Sequence, residues 1–284
     1  MRDYESVFSV AAMSQVLGMT RPGYYAWKHR SPSSREQADL ALRVEIRAIF
    51  AACRRSYGSR RIRQALRRQG RRVGRRRVAR LLSQEGFRAK RSARFRATTD
   101  SRNTTVVHAN VLARDFAVGT ANRAWAGDIT YLATQEGWLY LAAVLDVGTR
   151  RVIGWSFRET LKAELVTGAL EAALGLRPAS PGLICHSDRG SQYGSDDVQA
   201  MLARFQLRGS MSRKGDCWDN AVVESFFASL KTELVEGAHW ATRAEAKRAV
   251  IEWIEGWYNR SRMHSTLGYL SPVEFEAQLA AKTQ

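Results

Sequence analysis

Between residues 125 and 160 three strand-like runs follow one another, "WAGDITYLAT", "WLYLAAVLDVGTR" and "RVIGWSFRET", with only turn residues between them. The texture then becomes an alternation. The helical pattern "KAELVTGALEAALGL", closed by Gly175, precedes the apolar strand "GLICHSD"; a second helix over residues 195–205 precedes the short strand "LRGSMS". "WDNAVVESFFASLKTELV" reads as a third helix. Strands first in hairpins and then alternating with helices restrict the fold to the α/β class, a mixed sheet with helices on its faces. A last amphipathic helix, over about 242–260, aligns Val250, Trp253, Ile254, Trp257 and Tyr258 at i, i+3, i+4, i+7 and i+8, an aromatic stripe that reads as core packing.

Upstream, residues 35–90 read as helical. "ADLALRVEIRAIFAA" sets Leu40, Val44 and Ile49 on an apolar stripe. Ser59 suits the cap of "RRIRQALRRQG", in which Ile62, Ala65 and Leu66 share a face and Gly70 suits the exit. "GRRRVARLLSQEG" turns Val78, Leu81 and Leu82 inward and ends near Gly86. Two short helices joined by a glycine-containing turn resemble a helix-turn-helix. Arg75, Arg76, Arg77 and Arg80 lie near the start of its second helix, where contacts to DNA would be made, and Arg60 and Arg61 open its first. A basic helical hairpin touching only phosphates remains the alternative.

Charge points the same way. The net charge is +18, and residues 35–102 hold 22 Lys+Arg against five Asp+Glu, whereas residues 103–284 hold 19 against 20. A short basic run is usually a solvated face, but one this long, arginine-rich and confined fits a nucleic acid. Residues 89–105 are basic, small and polar with little periodicity, which suits an extended linker tracking DNA. The longest apolar segment, residues 138–147, is too short to span a bilayer, and the N-terminus lacks a secretory pattern. Cys53, Cys185 and Cys217 are far apart and form no CxxC pair, which points to a reducing cytoplasm and away from a zinc site.

Three carboxylates stand in unusual places. Asp128 lies early in the first strand, Asp188 ends the fourth, and Glu224 sits inside the apolar helix "AVVESFFASL". Each alone has a structural explanation, as turn former, strand edge or helix edge. If strands one and four are neighbours, all three converge, and such a cluster repels itself without a cation. Oxygen-only ligands favour Mg²⁺, with Mn²⁺ as substitute, and two ions about 4 Å apart would clamp both oxygens of a phosphodiester displacement. Lys231 follows Glu224 by seven residues, two helical turns, and either holds a DNA phosphate or is an ordinary surface lysine. His186 either shares the face of Asp188 or bonds structurally, and His264 belongs to no His/Cys metal cluster. Ser187 has no His/Asp relay, and there is no GxxxxGK[ST] loop.

"WAGDITYL", "HSDRGSQYGS", "GDCWDNAVVESFFASLKTE" and "YNRSRMHSTLGYLSPVEFE" resemble the DDE transposases of the insertion-sequence-3 family, in particular the product of its second reading frame. Asp188 and Glu224 are separated by 35 residues, as in the retroviral-integrase-like superfamily, and Lys231 falls where the family carries a basic residue. "LGMTRPGYYAW" and "SYGSRRIRQAL" resemble the family's upstream segments. The resemblance implies an RNase H-like core with a five-stranded sheet and Asp128, Asp188 and Glu224 as catalytic triad and ligands for Mg²⁺. It implies water attack to free a 3′-OH at the element's end, then direct attack of that hydroxyl on another phosphodiester. It also implies a multimer on the terminal inverted repeats and target DNA, and a first-reading-frame partner, separate or fused by frameshift, in a bacterial cytoplasm.

The expected organisation is a helical segment (1–34), a helix-turn-helix-like DNA-binding domain (35–90), a basic linker (91–119), the catalytic core (120–236) and a C-terminal helix and tail packed on it (237–284). Two other readings stand beside the transposase: a non-catalytic DNA-binding regulator of transposition, and a related RNase H-fold nuclease that cuts without joining.

Overall fold

The computed structural model describes residues 1–90, 106–214 and 216–283. Five strands form one sheet: β1 (Ala124–Thr134), β2 (Gly137–Asp146), β3 (Val152–Arg158), β4 (Ile184–Ser187) and β5 (Arg208–Met211). Their order is β3-β2-β1-β4-β5, with β1–β2 and β2–β3 antiparallel and β4 parallel to both β1 and β5. The hairpins come from tight turns; Gly137 takes φ +109 at the β1–β2 bend, a conformation that side chains oppose.

Ten α-helices are described, five ahead of the sheet: α1 (Val10–Val16), α2 (Arg21–Lys28), α3 (Ser34–Ala52), α4 (Ser59–Arg68) and α5 (Arg75–Gln84). Helix α6 (Ala163–Leu176) links β3 to β4, and α7 (Asp196–Arg204) links β4 to β5. The chain closes with α8 (Ala221–Leu230), α9 (Arg243–Glu252) and α10 (Pro272–Thr283). One face of the sheet packs on α6 and α7 through Trp125, Leu165, Ala169 and Val198. The other carries Ala124, Ala126, Leu132 and Leu141 against Val223, Phe226 and Phe227 of α8. Val250, Trp253, Ile254, Trp257 and Tyr258 are all buried there, as an aromatic core stripe requires.

Several local expectations change. In α3 the buried stripe is Leu42, Ile46, Ile49 and Phe50, while Leu40 and Val44 are exposed. The buried set follows i, i+4, i+7, i+8, whereas Leu40 and Ile49 are nine residues apart, half a turn out of phase, so the expected stripe mixed two faces. Gly58 is the N-cap of α4, and Ser59 is already helical without a capping bond. Gly175 does not close α6; the helix runs to Leu176 and ends where Arg177, in extended conformation, ion-pairs with Asp146 and Glu276. The third predicted helix is three pieces: a 3₁₀ turn (Cys217–Asn220), α8, and a π segment (Lys231–Val235). Trp257 Nε1 and Arg262 Nε donate to the buried Glu233 carboxylate (both 2.8 Å), tying that segment to the C-terminal region. The helix over 242–260 likewise turns from α to π at Trp253.

Residues 91–105, most of the expected linker, lie outside the described residues. From 106 the chain is docked on the β5 edge: the Val111 and Leu112 N–H groups donate to Ser210 Oγ (2.9 and 3.2 Å), and Leu112 is buried.

Candidate active site

The parallel pairing of β1 with β4 places Ala126 opposite His186. Asp128 lies two residues beyond Ala126 and Asp188 two beyond His186, just past the end of β4, so the pairing delivers both to the same end of the β1–β4 seam. The Ile129 N–H donates to Asp128 Oδ1 (2.7 Å), and the Gly190 N–H donates to Asp188 Oδ1 (2.9 Å). A Cβ at Gly190 would meet Asp188 Oδ1 at 3.0 Å, so glycine lets the chain fold tightly over that carboxylate. Helix α8 packs on β1 and carries Glu224 one turn beyond Asn220, whose Nδ2 donates to the Gly127 carbonyl (3.3 Å).

Electrostatics tie the three together. The Asp128 carboxyl is pushed well above the ordinary carboxylate range, first by burial, then by Asp188, with Glu224 adding to it; the Ile129 N–H and Lys231 oppose the shift. Glu224 is raised by burial and then by Asp188. The Tyr193 hydroxyl is also raised, by burial and then by Asp128 and Asp188. Its oxygen would lie 3.2 Å from a Cβ at Gly127, so it packs against β1 next to Asp128. Among the described residues, no three His, Cys, Asp or Glu side chains are already drawn into a ready ligand cluster. Like charges keep apart, and Asp128 and Asp188 each turn an oxygen to a backbone N–H.

Lys231 begins the π segment; its Nζ lies 5.0 Å from the Tyr131 ring centroid and within electrostatic reach of Asp128. His186 is fully buried, with Nδ1 2.9 Å from Ser210 Oγ and Nε2 3.3 Å from Ser212 Oγ. Burial lowers its pKa to about 4, so it is a neutral pin between β4 and β5. His264 is buried against the Tyr258 ring, away from the carboxylates. Sequence reasoning missed Asn220, Tyr193 and Asp219. Asp219 is fully buried and binds Arg114 Nε (2.7 Å) and the Arg213 guanidinium (3.0 Å), bonds that hold it well below the carboxylate range and fix the approach to α8. The spacing of Asn220, one turn before Glu224, was the available signal.

The predicted DNA-contacting arginines divide. Arg60 and Arg75 line one groove with Arg63, and Arg76 is exposed. Arg77 Nε and Arg80 Nη2 instead bind Asp39 of α3 (2.7 and 2.5 Å). The Arg61 guanidinium lies 5.3 Å from the Tyr57 ring centroid and is largely buried, its pKa lowered by burial and then by Arg262.

Fold and sequence together define a polynucleotide-processing integrase core with a helical DNA-binding domain: the integrase core domain family matches residues 120–217, a second integrase core domain family matches 224–279, and an HTH-like domain family matches 36–95. Transposase InsF of insertion sequence IS3A from Escherichia coli (strain K12) is 44% identical over 275 residues, 96% of each chain. The uncharacterized 31 kDa protein of insertion element IS600 from Shigella sonnei is 44% identical over 263 residues, 93% of this chain and 97% of the relative. The chain belongs to the IS3-family insertion-sequence transposases. Among solved structures it resembles the catalytic core domain of BIV integrase (15% identity, 57% of this chain and 99% of that one, TM-score 0.42). It also resembles the simian T-cell lymphotropic virus intasome (14% identity, 75% and 69%, TM-score 0.46). No helix among the described residues is long and apolar enough to cross a membrane.

Proposed function

We propose that Asp128, Asp188 and Glu224 are the catalytic carboxylates of this transposase and hold Mg²⁺, two ions in the working complex, with Mn²⁺ as substitute. The supporting observation is their coupling: burial and mutual repulsion raise Asp128 and Glu224, a cost that a divalent cation removes. The donors are oxygens only, which fits a hard ion. When bound, the metal neutralises the carboxylates and polarises the phosphodiester and the attacking oxygen. Asn220 clamps α8 to β1 behind Asp128, so the carboxylates keep their spacing. Lys231 holds a DNA phosphate beside them. Water attacks the phosphodiester at the element's end and releases a 3′-OH; that hydroxyl then attacks a second phosphodiester and expels its 3′ oxygen, with no protein-linked intermediate.

Arg60, Arg75 and Arg76 are the outward basic contacts to the inverted repeats, within a DNA-binding unit spanning 35–90, followed by linker, core (120–236) and C-terminal tail. The N-terminal segment leaves Phe8, Val16, Leu17 and Trp27 exposed. An apolar surface of that kind favours contact with a further chain, the first-frame product or a second copy in a DNA-bound multimer in the bacterial cytoplasm. The test is labelled element-end DNA with Mg²⁺, parent against Glu224→Gln: cleavage and joining are lost and binding is kept. Equal activity would remove Glu224 from the centre; binding with no chemistry in the parent, alone or fused to the first-frame product, would favour a regulator.

A further inference from the structure

Tyr131 and Trp138 are large aromatics left in solvent, 44% and 51% exposed. They stand on the two arms of the β1–β2 hairpin. Tyr131 is opposite Tyr140 and Trp138 opposite Ala133, so the two rings are diagonal neighbours on one face. They meet edge to face at 5.1 Å and 87°. Lys231 completes the group, with its ammonium 5.0 Å from the Tyr131 centroid and its charge felt at Asp128.

The position joins this group to the carboxylates. β1 pairs with β4 only over Ala124–Ala126, so from Gly127 onward that edge of β1 has no strand neighbour among the described residues. Alternation puts Asp128 and Tyr131 on opposite faces of β1, and Lys231, whose Nζ lies over the Tyr131 ring, comes from the end of the helix that carries Glu224. Three strand residues cover about 10 Å, and stacked bases rise about 3.4 Å each, so the aromatic pair lies about three base steps from the carboxylates. Half-exposed rings beside a cation match a nucleotide, which offers a π face and a phosphate. A duplex keeps its internal base faces inside the stack, so at a scissile phosphate with DNA on both sides an unpaired base fits.

We propose that Tyr131 and Trp138 form a stacking platform for an unpaired DNA base within a few nucleotides of the scissile phosphate, with Lys231 on an intervening phosphate. The proposal rests on the carboxylate centre described above. It gives the core a means of holding an opened DNA end that does not depend on the helical domain.

The test uses element-end duplexes carrying 2-aminopurine at successive positions beside the scissile phosphate, bound to the full chain carrying Asp188→Asn so that no cleavage intervenes. The probe is on the DNA because the chain has eight tryptophans of its own. Adding Trp138→Ala should abolish base-specific quenching at one position and weaken end binding about tenfold, a usual loss for one base–aromatic stack. Trp138→Phe should keep most of both. Mismatching the flanking pairs should tighten binding by the Asp188→Asn chain and not by its Trp138→Ala derivative. Binding to an internal repeat duplex and the melting temperature control for folding and should not change. Equal quenching and affinity with and without Trp138→Ala would overturn the platform. Cleavage by the chain carrying Asp188→Asn alone would instead overturn the carboxylate centre, so the two failures are distinct.

Discussion

In the helical region Asp39 lies between Arg77 and Arg80, and in the sheet Asp128 lies beside Asp188 and Glu224. Hydrogen bonds from Arg80 and then Arg77 hold Asp39 below its ordinary pKa; burial and then Asp188 push Asp128 well above it. The same contrast recurs at Glu85, lowered by Arg47, and at Glu224, raised by burial and Asp188. In the first region acids serve as internal counterions that set the arginine scaffold and leave Arg60, Arg75 and Arg76 outward. In the second, burial and mutual repulsion raise Asp128 and Glu224, and concentrated negative charge there would repel DNA phosphates unless a cation intervened. On the proposed reading, attraction of DNA and chemistry on DNA fall to regions of opposite electrostatic design.

The sharpest way to break this contrast is to neutralise one carboxylate. Asp128→Asn or Asp188→Asn should cut end cleavage by at least about a thousandfold in a single-turnover assay, the scale of losing several kcal/mol of metal-borne stabilisation. DNA affinity, measured alongside, should hold or rise. In the helical region, Arg75→Ala or Arg76→Ala should weaken binding several-fold and reduce the salt slope by about one for each phosphate contact removed. Arg77→Ala or Arg80→Ala should act chiefly through stability, lowering the melting temperature because Asp39 loses a partner. A large change in salt slope for Arg80→Ala would place it on the DNA instead.

Lys231→Ala should reduce cleavage by about tenfold at low salt and less at high salt, because a phosphate contact is screened. Lys231→Arg should retain most of the rate. The smallest effect is on stability. Asp128 binds its proton more tightly folded than unfolded, so its contribution is fully present at low pH and is lost as pH rises from the ordinary carboxylate range through the raised folded pKa. Metal-free Asp128→Asn should therefore melt higher than the parent at neutral pH, by about 2–4 °C for each kcal/mol of repulsion relieved. The two should converge in acid, and added Mg²⁺ should narrow the gap by stabilising the parent alone.

The hairpins β1–β3 were legible because alternation and turn residues report local geometry, and the carboxylates stood out because a strand and an apolar helix are poor places for them. Other features depended on distant partners. The Arg77 and Arg80 side chains are claimed by Asp39, 38 and 41 residues away. The π segment at Lys231 is held by Trp257 and Arg262, which no helical period in α8 could announce. The inward face of α3 was legible in the i, i+4, i+7, i+8 spacing of Leu42, Ile46, Ile49 and Phe50, and the expected stripe missed it by joining Leu40 and Val44 to Ile49 on the opposite side. Asn220 was passed over because its link to Gly127 exists only once α8 lies on β1.

The most direct test of the carboxylate centre is Mn²⁺ binding to the DNA-free chain, followed by electron paramagnetic resonance, in the parent and in Asp128→Asn and Asp188→Asn. The account predicts that the parent takes up the ion and that each substitution alone abolishes or sharply weakens uptake while the fold stays intact. Unchanged uptake in folded Asp188→Asn would contradict it.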